Sequence, residues 1–229
     1  IKPKHAIAWM NKGITLHYLK KHDDAVASYD KATEIDPKNV DAWNYKGNAL
    51  YYLSRYDDAI ASYDKATEID PKKAVAWSNK GHALLELKKY EEVIASVDKA
   101  IEIDPNNALA WGRKAFALRK LERYDDAIVC YDKAIEIDPK NAESLYEKGQ
   151  ALQELERYDN AIASYDEVIK IGDKLNVGAW NGKGDTLQKL ERYEDAIACY
   201  DKAENSYAWN GKGDALQKLE RYEDAIACY

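Results

Sequence analysis

The sequence predicts an all-α solenoid made of seven helix–turn–helix units, and three observations support this. Large apolar residues recur at intervals of 34, 34, 34, 34, 35 and 29 residues, namely at Trp9, Trp43, Trp77, Trp111, Leu145, Trp180 and Trp209. A small residue follows each of these anchors four positions later, at Gly13, Gly47, Gly81, Ala115, Gly149, Gly184 and Gly213. We expect the anchors and these small residues to be buried between helices, and Trp43, Gly47, Ala59 and Ala66 test this. Each unit also contains two stretches of helical periodicity. A period near 34 residues indicates an array of repeats.

The second unit illustrates how each element is predicted. Its first helix is indicated by apolar residues at steps of four and three, which are Trp43, Gly47, Leu50 and Leu53. After a polar break the same periodicity restarts and predicts the second helix, with apolar positions at Ala59, Ile60, Tyr63 and Ala66. We expect Asp57 and Asp58 to cap the second helix and to complement its positive end. We expect that helix to end before Pro71, because proline disfavours helix in the residue before it.

This pattern resembles the tetratricopeptide repeat family, and the resemblance covers essentially the whole chain. The matching positions in the second unit are Trp43, Gly47, Ala59, Tyr63, Ala66 and Pro71. The resemblance implies a right-handed superhelical solenoid that serves as a binding scaffold. One departure is a lysine that stands in all seven units where the family often has leucine, at Lys12, Lys46, Lys80, Lys114, Lys148, Lys183 and Lys212. We expect its stem to pack on apolar surface.

We expect residues 1–229 to form a single array whose last repeat is incomplete. The irregular junctions lie near residues 172–178 and 203–204, and five residues that correspond to "IEIDP" are absent after Ala203. Either this unit is shortened or residues are missing there, and we favour the second interpretation. Ile1-Lys2-Pro3 matches the end of a unit, and Tyr229 stands in the middle of one. We therefore expect a piece of a longer array, with possible end-to-end self-association of the incomplete ends.

Composition excludes several functional classes. The chain has 41 acidic and 34 basic residues, a formal net charge of −7, which argues against binding a phosphate backbone. No apolar run approaches the length that would span a membrane, so we expect no membrane partner. The three cysteines stand in one equivalent slot of three units and form no CxxC pair. Free thiols favour a reducing compartment, and we expect a cytoplasmic protein.

The sequence does not predict catalysis, a metal site or a cofactor. Acidic pairs recur at the start of the second helices, where capping and the helix dipole explain them. The four histidines, His5, His17, His22 and His82, show no HExxH spacing. No glycine-rich phosphate loop, nucleophile elbow or Cys–His pair is present. We therefore expect a protein that is not an enzyme and that binds no cofactor.

The resemblance implies that side chains of the first helices line a groove that binds a protein or peptide. On the slots that face the groove in this family, the expected partner-binding residues are Asn44, Tyr45, Asn48, Tyr52, Asn79, His82, Arg113, Phe116, Arg119 and Lys120. The fourth unit supplies the basic cluster on this face, so we expect the partner to carry an acidic group. Tyrosine, asparagine and arginine are frequent contact residues in binding surfaces.

Other functions stay open from the sequence. Family members that grip the C-terminal carboxylates of chaperones use a clamp of lysine, asparagine and arginine. Asn48, Asn79 and Arg113 match that clamp, but both lysines are lost. The main alternative is a targeting or substrate-recruiting arm of a larger enzyme, such as a glycosyltransferase. A helical repeat that binds nucleic acid is a third possibility.

Overall fold

The structure, a computed structural model, describes residues 3–172 and 174–229, and within them the chain forms helices and no strand. The helices are α1 Pro3–Tyr18, α2 His22–Ile35, α3 Val40–Tyr52, α4 Tyr56–Ile69, α5 Ala74–Glu86, α6 Tyr90–Ile103, α7 Ala108–Lys120, α8 Tyr124–Ile137, α9 Ala142–Glu154, α10 Tyr158–Ile171, α11 Asn176–Lys189, α12 Tyr193–Ala203, α13 Ser206–Lys218 and α14 Tyr222–Ile226. The predicted pairs of helices are all present, so the all-α fold of helix–turn–helix repeats is confirmed.

The chain divides into two compact units, residues 1–121 and 122–229. The first unit holds the hairpins α1/α2, α3/α4 and α5/α6, followed by α7. The second holds α8, followed by the hairpins α9/α10, α11/α12 and α13/α14. Within the first unit the first helices of successive hairpins also contact each other, in the pairs α1·α3, α3·α5 and α5·α7. Helices α1, α3, α5 and α7 therefore share a face, which we call the first-helix face.

In most hairpins a buried tyrosine from the second helix packs against the small residue of the first helix. Tyr63 is 2 % exposed, and its ring lies where a Cβ atom on Gly47 would be. Gly47, Ala59 and Ala66 are buried, as predicted. The same core position is filled by Tyr29, Tyr131, Tyr165 and Tyr200, whereas the third hairpin has Val97. The small residue allows the two helices to approach closely enough to enclose an aromatic ring.

The prediction that the tryptophan anchors are buried is wrong. Trp43, Trp77 and Trp111 are half-buried, and Trp209 is 45 % exposed. The indole Nε1–H groups of Trp43, Trp77 and Trp111 donate to the carbonyl of the proline in the preceding loop, at 3.0, 3.0 and 2.9 Å. An indole needs a partner for its N–H, so it lies at the edge of the core and fixes the loop. Leu145, which has no such group, is buried.

The repeated lysine ties each hairpin to the one before it. Lys80 Nζ lies 2.6 Å from Asp64 Oδ1 on the second helix of the preceding hairpin, and 5.6 Å from the centre of the Trp77 ring. Lys46 makes the same contacts with Asp30 and Trp43. The repeated lysine therefore has a structural role, made of an ion pair and a cation–π contact.

The aspartates at the start of the second helices do not cap them, which corrects the expectation for Asp57 and Asp58. The N-cap of α4 is Arg55, and it makes no capping side-chain hydrogen bond. Asp58 Oδ2 instead accepts from Arg55 Nε and Nη2, at 2.9 and 2.7 Å. Both aspartates lie in the first turn, where negative charge complements the helix dipole. Asparagine caps several first helices, as Asn39 does by accepting from Ala42 N–H at 3.0 Å.

The two irregular junctions have different structures. Helix α10 ends at Ile171 and is followed by Gly172, whose φ of 77° is the left-handed conformation that glycine tolerates. Asp173, which occupies the proline slot, lies outside the described residues, as do Ile1 and Lys2. At the second junction α12 ends at Ala203, and Asn205 caps α13 by accepting from Ala208 N–H at 2.8 Å. The shortened connection is thus closed by Glu204 and Asn205. Absence of residues from the sequence at this point stays a prediction.

Candidate functional site

The first-helix face of the first unit brings together the asparagines that the sequence predicts to bind a partner. Asn79 Nδ2 on α5 donates to Asn48 Oδ1 at 3.1 Å and to Asn44 Oδ1 at 3.2 Å, both on α3. Asn48 Oδ1 also accepts from the buried Tyr63 hydroxyl at 2.8 Å. Asn44 is buried, so it positions Asn79 and offers little surface to a partner. Asn48 and Asn79 are half-buried, and they form the accessible part of this amide cluster.

A second group of contacts lies one helical turn further along the same helices. Tyr51 O–H donates to Glu86 Oε1 at 2.8 Å, and the Tyr51 oxygen lies 3.0 Å from His82 Nε2. Because the single phenol proton is given to Glu86, the histidine Nε2–H must be the donor to Tyr51. Burial and the nearby positive charge of Arg113 lower the pKa of His82 to about 4. His82 is therefore a neutral hydrogen-bonding group at neutral pH.

Arg113 on α7 reaches across to α5. Its Nη1 donates to Ser78 Oγ at 2.6 Å and to the Ser78 carbonyl at 3.2 Å. In the second unit, the residue two positions after the anchor packs against the core tyrosine of the preceding hairpin, as Gly182 does against Tyr165. The hairpin that precedes Arg113 has the smaller Val97 in that core position, which leaves room for a long side chain. Arg113 is half-buried beside His82.

The other two predicted cations lie around an aromatic ring at the end of α7. The Arg119 guanidinium is 5.4 Å from the centre of the Phe116 ring, and Lys120 Nζ is 5.1 Å from it. Arg119 is half-buried, whereas Lys120 is exposed. Cation–π contacts of this kind hold the charges close to the apolar ring. The end of α7 therefore presents positive charge beside a partly exposed aromatic surface.

The two predicted tyrosines lie on α3 and differ in exposure. Tyr45 is half-buried, and its ring stacks on that of Tyr29 at 6.1 Å between centres. Tyr52 is 63 % exposed and contacts the rings of His17 and His22. The structure thus places all ten predicted residues within the first unit. Their role in binding a partner stays a prediction.

Tyr51 and Ser78 stand in slots that the resemblance assigns to the groove, but their hydrogen bonds were not predicted, and Glu86 was not predicted at all. Glu86 stands nine residues after its anchor, which is the slot of Tyr52 and Lys120 in the neighbouring units. Because Tyr52 and Lys120 were predicted to bind a partner, the shared slot could have indicated Glu86 as well. The hydrogen bonds of Arg113 to Ser78 depend on the small size of Val97, so the position of Arg113 within the repeat could not predict them.

The second unit has pockets of its own. One of about 570 Å³ lies between α11, α12 and α13, where Asp185 Oδ1 and Oδ2 accept from the hydroxyls of Tyr200 and Tyr207 at 2.7 and 2.8 Å. Another of about 460 Å³ includes Cys199, whose thiol pKa is raised to about 11 by burial. A thiol of that pKa is protonated and unreactive at neutral pH. Neither pocket contains a nucleophile paired with a base.

Comparison with known families identifies the chain. Models described as tetratricopeptide repeat or TPR repeat match residues 6–39, 74–107 and 108–141, residues 47–88, residues 28–61 and 130–163, and residues 181–229. The chain belongs to the tetratricopeptide repeat family. A search of the curated proteins gave no significant match.

Solved structures of tetratricopeptide repeat proteins share this fold at low sequence identity. YrrB, described as a TPR protein with an unusual peptide-binding site, is 23 % identical, with a TM-score of 0.67 over 85 % of this chain and 97 % of its own. PilF of Pseudomonas aeruginosa is 19 % identical, with a TM-score of 0.74 over 98 % and 97 %. A tetratricopeptide repeat protein from Parabacteroides merdae is 15 % identical, with a TM-score of 0.75 over 98 % and 91 %. At these sequence identities the similarity shows a shared fold and does not show a shared function.

Among the described residues there is no group of three or more metal-ligating side chains. Likewise, none of the helices in the described part of the chain is long and apolar enough to span a membrane.

Proposed function

We propose that this tetratricopeptide repeat chain is a scaffold that binds a protein or peptide on the first-helix face of residues 1–121, and that it catalyses no reaction itself. The observation that carries the proposal is the arrangement around Arg113. This cation is half-buried, it is oriented by two hydrogen bonds to Ser78, and it lies beside a histidine that stays neutral. A cation held in this way can bind a carboxylate with little loss of side-chain entropy.

The proposed ligand is an extended or helical segment that carries an acidic group. Its carboxylate would be bound by Arg113, with Arg119 and Lys120 adding positive potential at the end of α7. Apolar parts of the ligand would contact Phe116 and Tyr52, whose rings are accessible. The amides of Asn48 and Asn79 would bond to its backbone, because amide side chains can both donate and accept. The description of YrrB as a peptide-binding protein supports this class of ligand.

The proposal also covers the class of partner and the cellular compartment. The net charge of −7 favours a protein or peptide partner over nucleic acid. Cys130, Cys199 and Cys228 are free thiols, which suits a reducing compartment such as the cytoplasm. A second candidate function is a recruiting arm of a larger enzyme, which would use the same face for its substrate protein.

The test uses random twelve-residue peptides displayed on phage and selected on the full chain. Recovered peptides should be enriched in aspartate or glutamate. They should bind the Arg113→Glu, Lys120→Glu variant at least about tenfold more weakly, because two cations become anions. The control variant is Lys38→Glu, Lys72→Glu, which makes the same charge change in exposed loops. Equal affinity for the parent and the site variant, with both folded by circular dichroism, would refute the proposal.

A further inference from the structure

Two histidines face each other across the first turn of the chain. His17 lies in the last turn of α1, and His22 is the first residue of α2. The turn between them is tightly bonded: Lys20 has a φ of 58° and donates its N–H to the His17 carbonyl at 2.9 Å, while Lys21 N–H donates to the Leu16 carbonyl at 2.9 Å. This is the hydrogen-bond pattern of a Schellman motif, which fixes the end of a helix. The backbone therefore holds the two imidazoles together.

The separation of the two imidazoles matches that of two ligands on one metal ion. The Nδ1 atoms are 3.3 Å apart. A tetrahedral zinc ion with bonds of about 2.05 Å to nitrogen places two ligand nitrogens about 3.3 Å apart. The same separation is long for a hydrogen bond, for which about 2.9–3.0 Å is usual. Both rings are half-buried, and Tyr52 packs against each of them, with ring centres 5.0 Å from His17 and 5.1 Å from His22. The ring orientations are thus restrained by packing as well as by the turn.

The repeats provide an internal reference for these two positions. In the other six units the slot of His22 holds tyrosine, at Tyr56, Tyr90, Tyr124, Tyr158, Tyr193 and Tyr222. The slot of His17 holds Tyr51, Leu85, Arg119, Gln153, Gln188 and Gln217. The first unit alone has an imidazole in both slots. The fold does not require histidine at either position, because the same turn forms elsewhere with other residues.

Metal binding requires both imidazoles to be neutral, because a protonated ring nitrogen has no lone pair for the metal. The charged side chains beside these histidines in the sequence are Lys20, Lys21 and Asp23, and all three are exposed.

We propose that His17 and His22 form a two-histidine site for a divalent transition-metal ion of the zinc type. Imidazole ligands suit zinc, copper and nickel, whereas calcium and magnesium prefer oxygen. Two protein ligands leave positions on a tetrahedral ion open for water or for a side chain of a bound partner. The alternative is that the two rings form only a hydrogen-bonded pair. The site shares Tyr52 with the proposed peptide-binding surface, but zinc binding can be measured without a peptide.

The experiment is zinc titration of the full chain by calorimetry at pH 7.5, in a Cys228→Ser background. Serine is the residue that several other units use in that slot, and the change removes the more accessible thiol. We expect one zinc ion to bind. His17→Gln and His22→Tyr introduce residues that the chain itself uses in these slots, so the turn should still form. Each should weaken zinc binding by more than about tenfold, because one of two ligands is lost. His5→Gln is the control and should bind zinc like the parent.

A second measurement identifies the ligands directly. Proton–nitrogen correlation spectra of the imidazoles should show zinc-dependent shifts of Nδ1 for His17 and His22, and no shift for His5 or His82. Affinity should also fall between pH 7.5 and 5.5, because protons compete for the same nitrogens. Absence of zinc binding, unchanged affinity in either variant, or shifts at His5 or His82 instead would overturn the proposal.

Discussion

Replacement of Gly47 tests the account of how a hairpin is packed. A Cβ atom at Gly47 would lie 2.5 Å from Tyr63 Cε1, 2.7 Å from Cδ1 and 2.8 Å from Cζ. The best separation of two carbon atoms is about 3.5–4.0 Å, so the ring would have to move by roughly 1 Å. Tyr63 is 2 % exposed, and its hydroxyl donates to Asn48. The ring is therefore held at both ends.

The magnitude should grow with the size of the substituent. Alanine at position 47 gains about 1 kcal/mol of helix propensity and loses about 1–3 kcal/mol to overpacking, for a net loss of about 0–2 kcal/mol. Ala115 stands in the equivalent slot of the fourth unit, so a single methyl group is acceptable to the repeat. Leucine adds a branched chain that no small movement accommodates. We expect Gly47→Leu to cost about 3 kcal/mol or more.

Urea denaturation followed by circular dichroism measures this loss. Ala61→Leu is the matched control, because Ala61 is exposed on α4 and the change should be within about 0.5 kcal/mol. The double variant Gly47→Leu, Tyr63→Ala should lose less than the sum of its two single changes, since the clash is removed with the ring. A loss below about 0.5 kcal/mol for Gly47→Leu, or full additivity with Tyr63→Ala, would refute the packing role.

Three further predictions concern the turns, the ion pairs and the histidine of the site. Lys88→Gly should stabilise the chain by roughly 0.5–1 kcal/mol, because Lys88 has a left-handed φ of 56°, which glycine adopts without strain; an unchanged or lower urea midpoint would contradict this. A double-mutant cycle of Lys80→Met and Asp64→Asn should give a coupling free energy of about 0.5–1 kcal/mol. Zero coupling would show that this ion pair does not stabilise the packing of one hairpin on the next. The imidazole of His82 should titrate near pH 4 in the folded state, as measured by NMR. Because that pKa is lowered, the folded state binds fewer protons than the unfolded state between about pH 6.5 and 4, so stability falls as the pH falls through this window. The melting temperature of the His82→Gln variant should therefore fall less between pH 7 and 5 than that of the parent. An equal fall in the variant and the parent would contradict the lowered pKa of His82.

The repeat architecture could be predicted from the sequence because its signals are periodic. The spacing of the anchors, the small residue four positions later and the Asp-Pro ends each occur several times, so an exception such as Ala115 does not obscure the pattern. The helices begin and end close to where these signals place them. Asp70 ends α4, and its Oδ1 accepts from Lys72 N–H at 3.0 Å, a turn that short polar side chains favour.

The roles of individual side chains were less predictable, since they depend on what lies opposite. The anchors were expected to be buried between helices, yet the indole N–H of Trp43 donates to the Pro37 carbonyl and keeps the ring at the edge of the core. Asp57 and Asp58 are of a residue type that often caps helices, but they lie within the first turn of α4. Asn44 and Asn48 stand in slots that the resemblance assigns to the groove, and only the structure distinguishes the buried one from the accessible one.

Nuclear magnetic resonance mapping of a bound peptide tests the central claim most directly. A peptide recovered from the display selection would be titrated into the isotope-labelled full chain. The account predicts shifts of the side-chain amide signals of Asn48 and Asn79 and of the imidazole of His82. The peptide concentrations at which these shifts saturate should agree with the dissociation constant measured by calorimetry. If the shifts are confined to the indole signals of Trp43 and Trp77, which lie against the loops between hairpins, the ligand binds elsewhere and the account is contradicted.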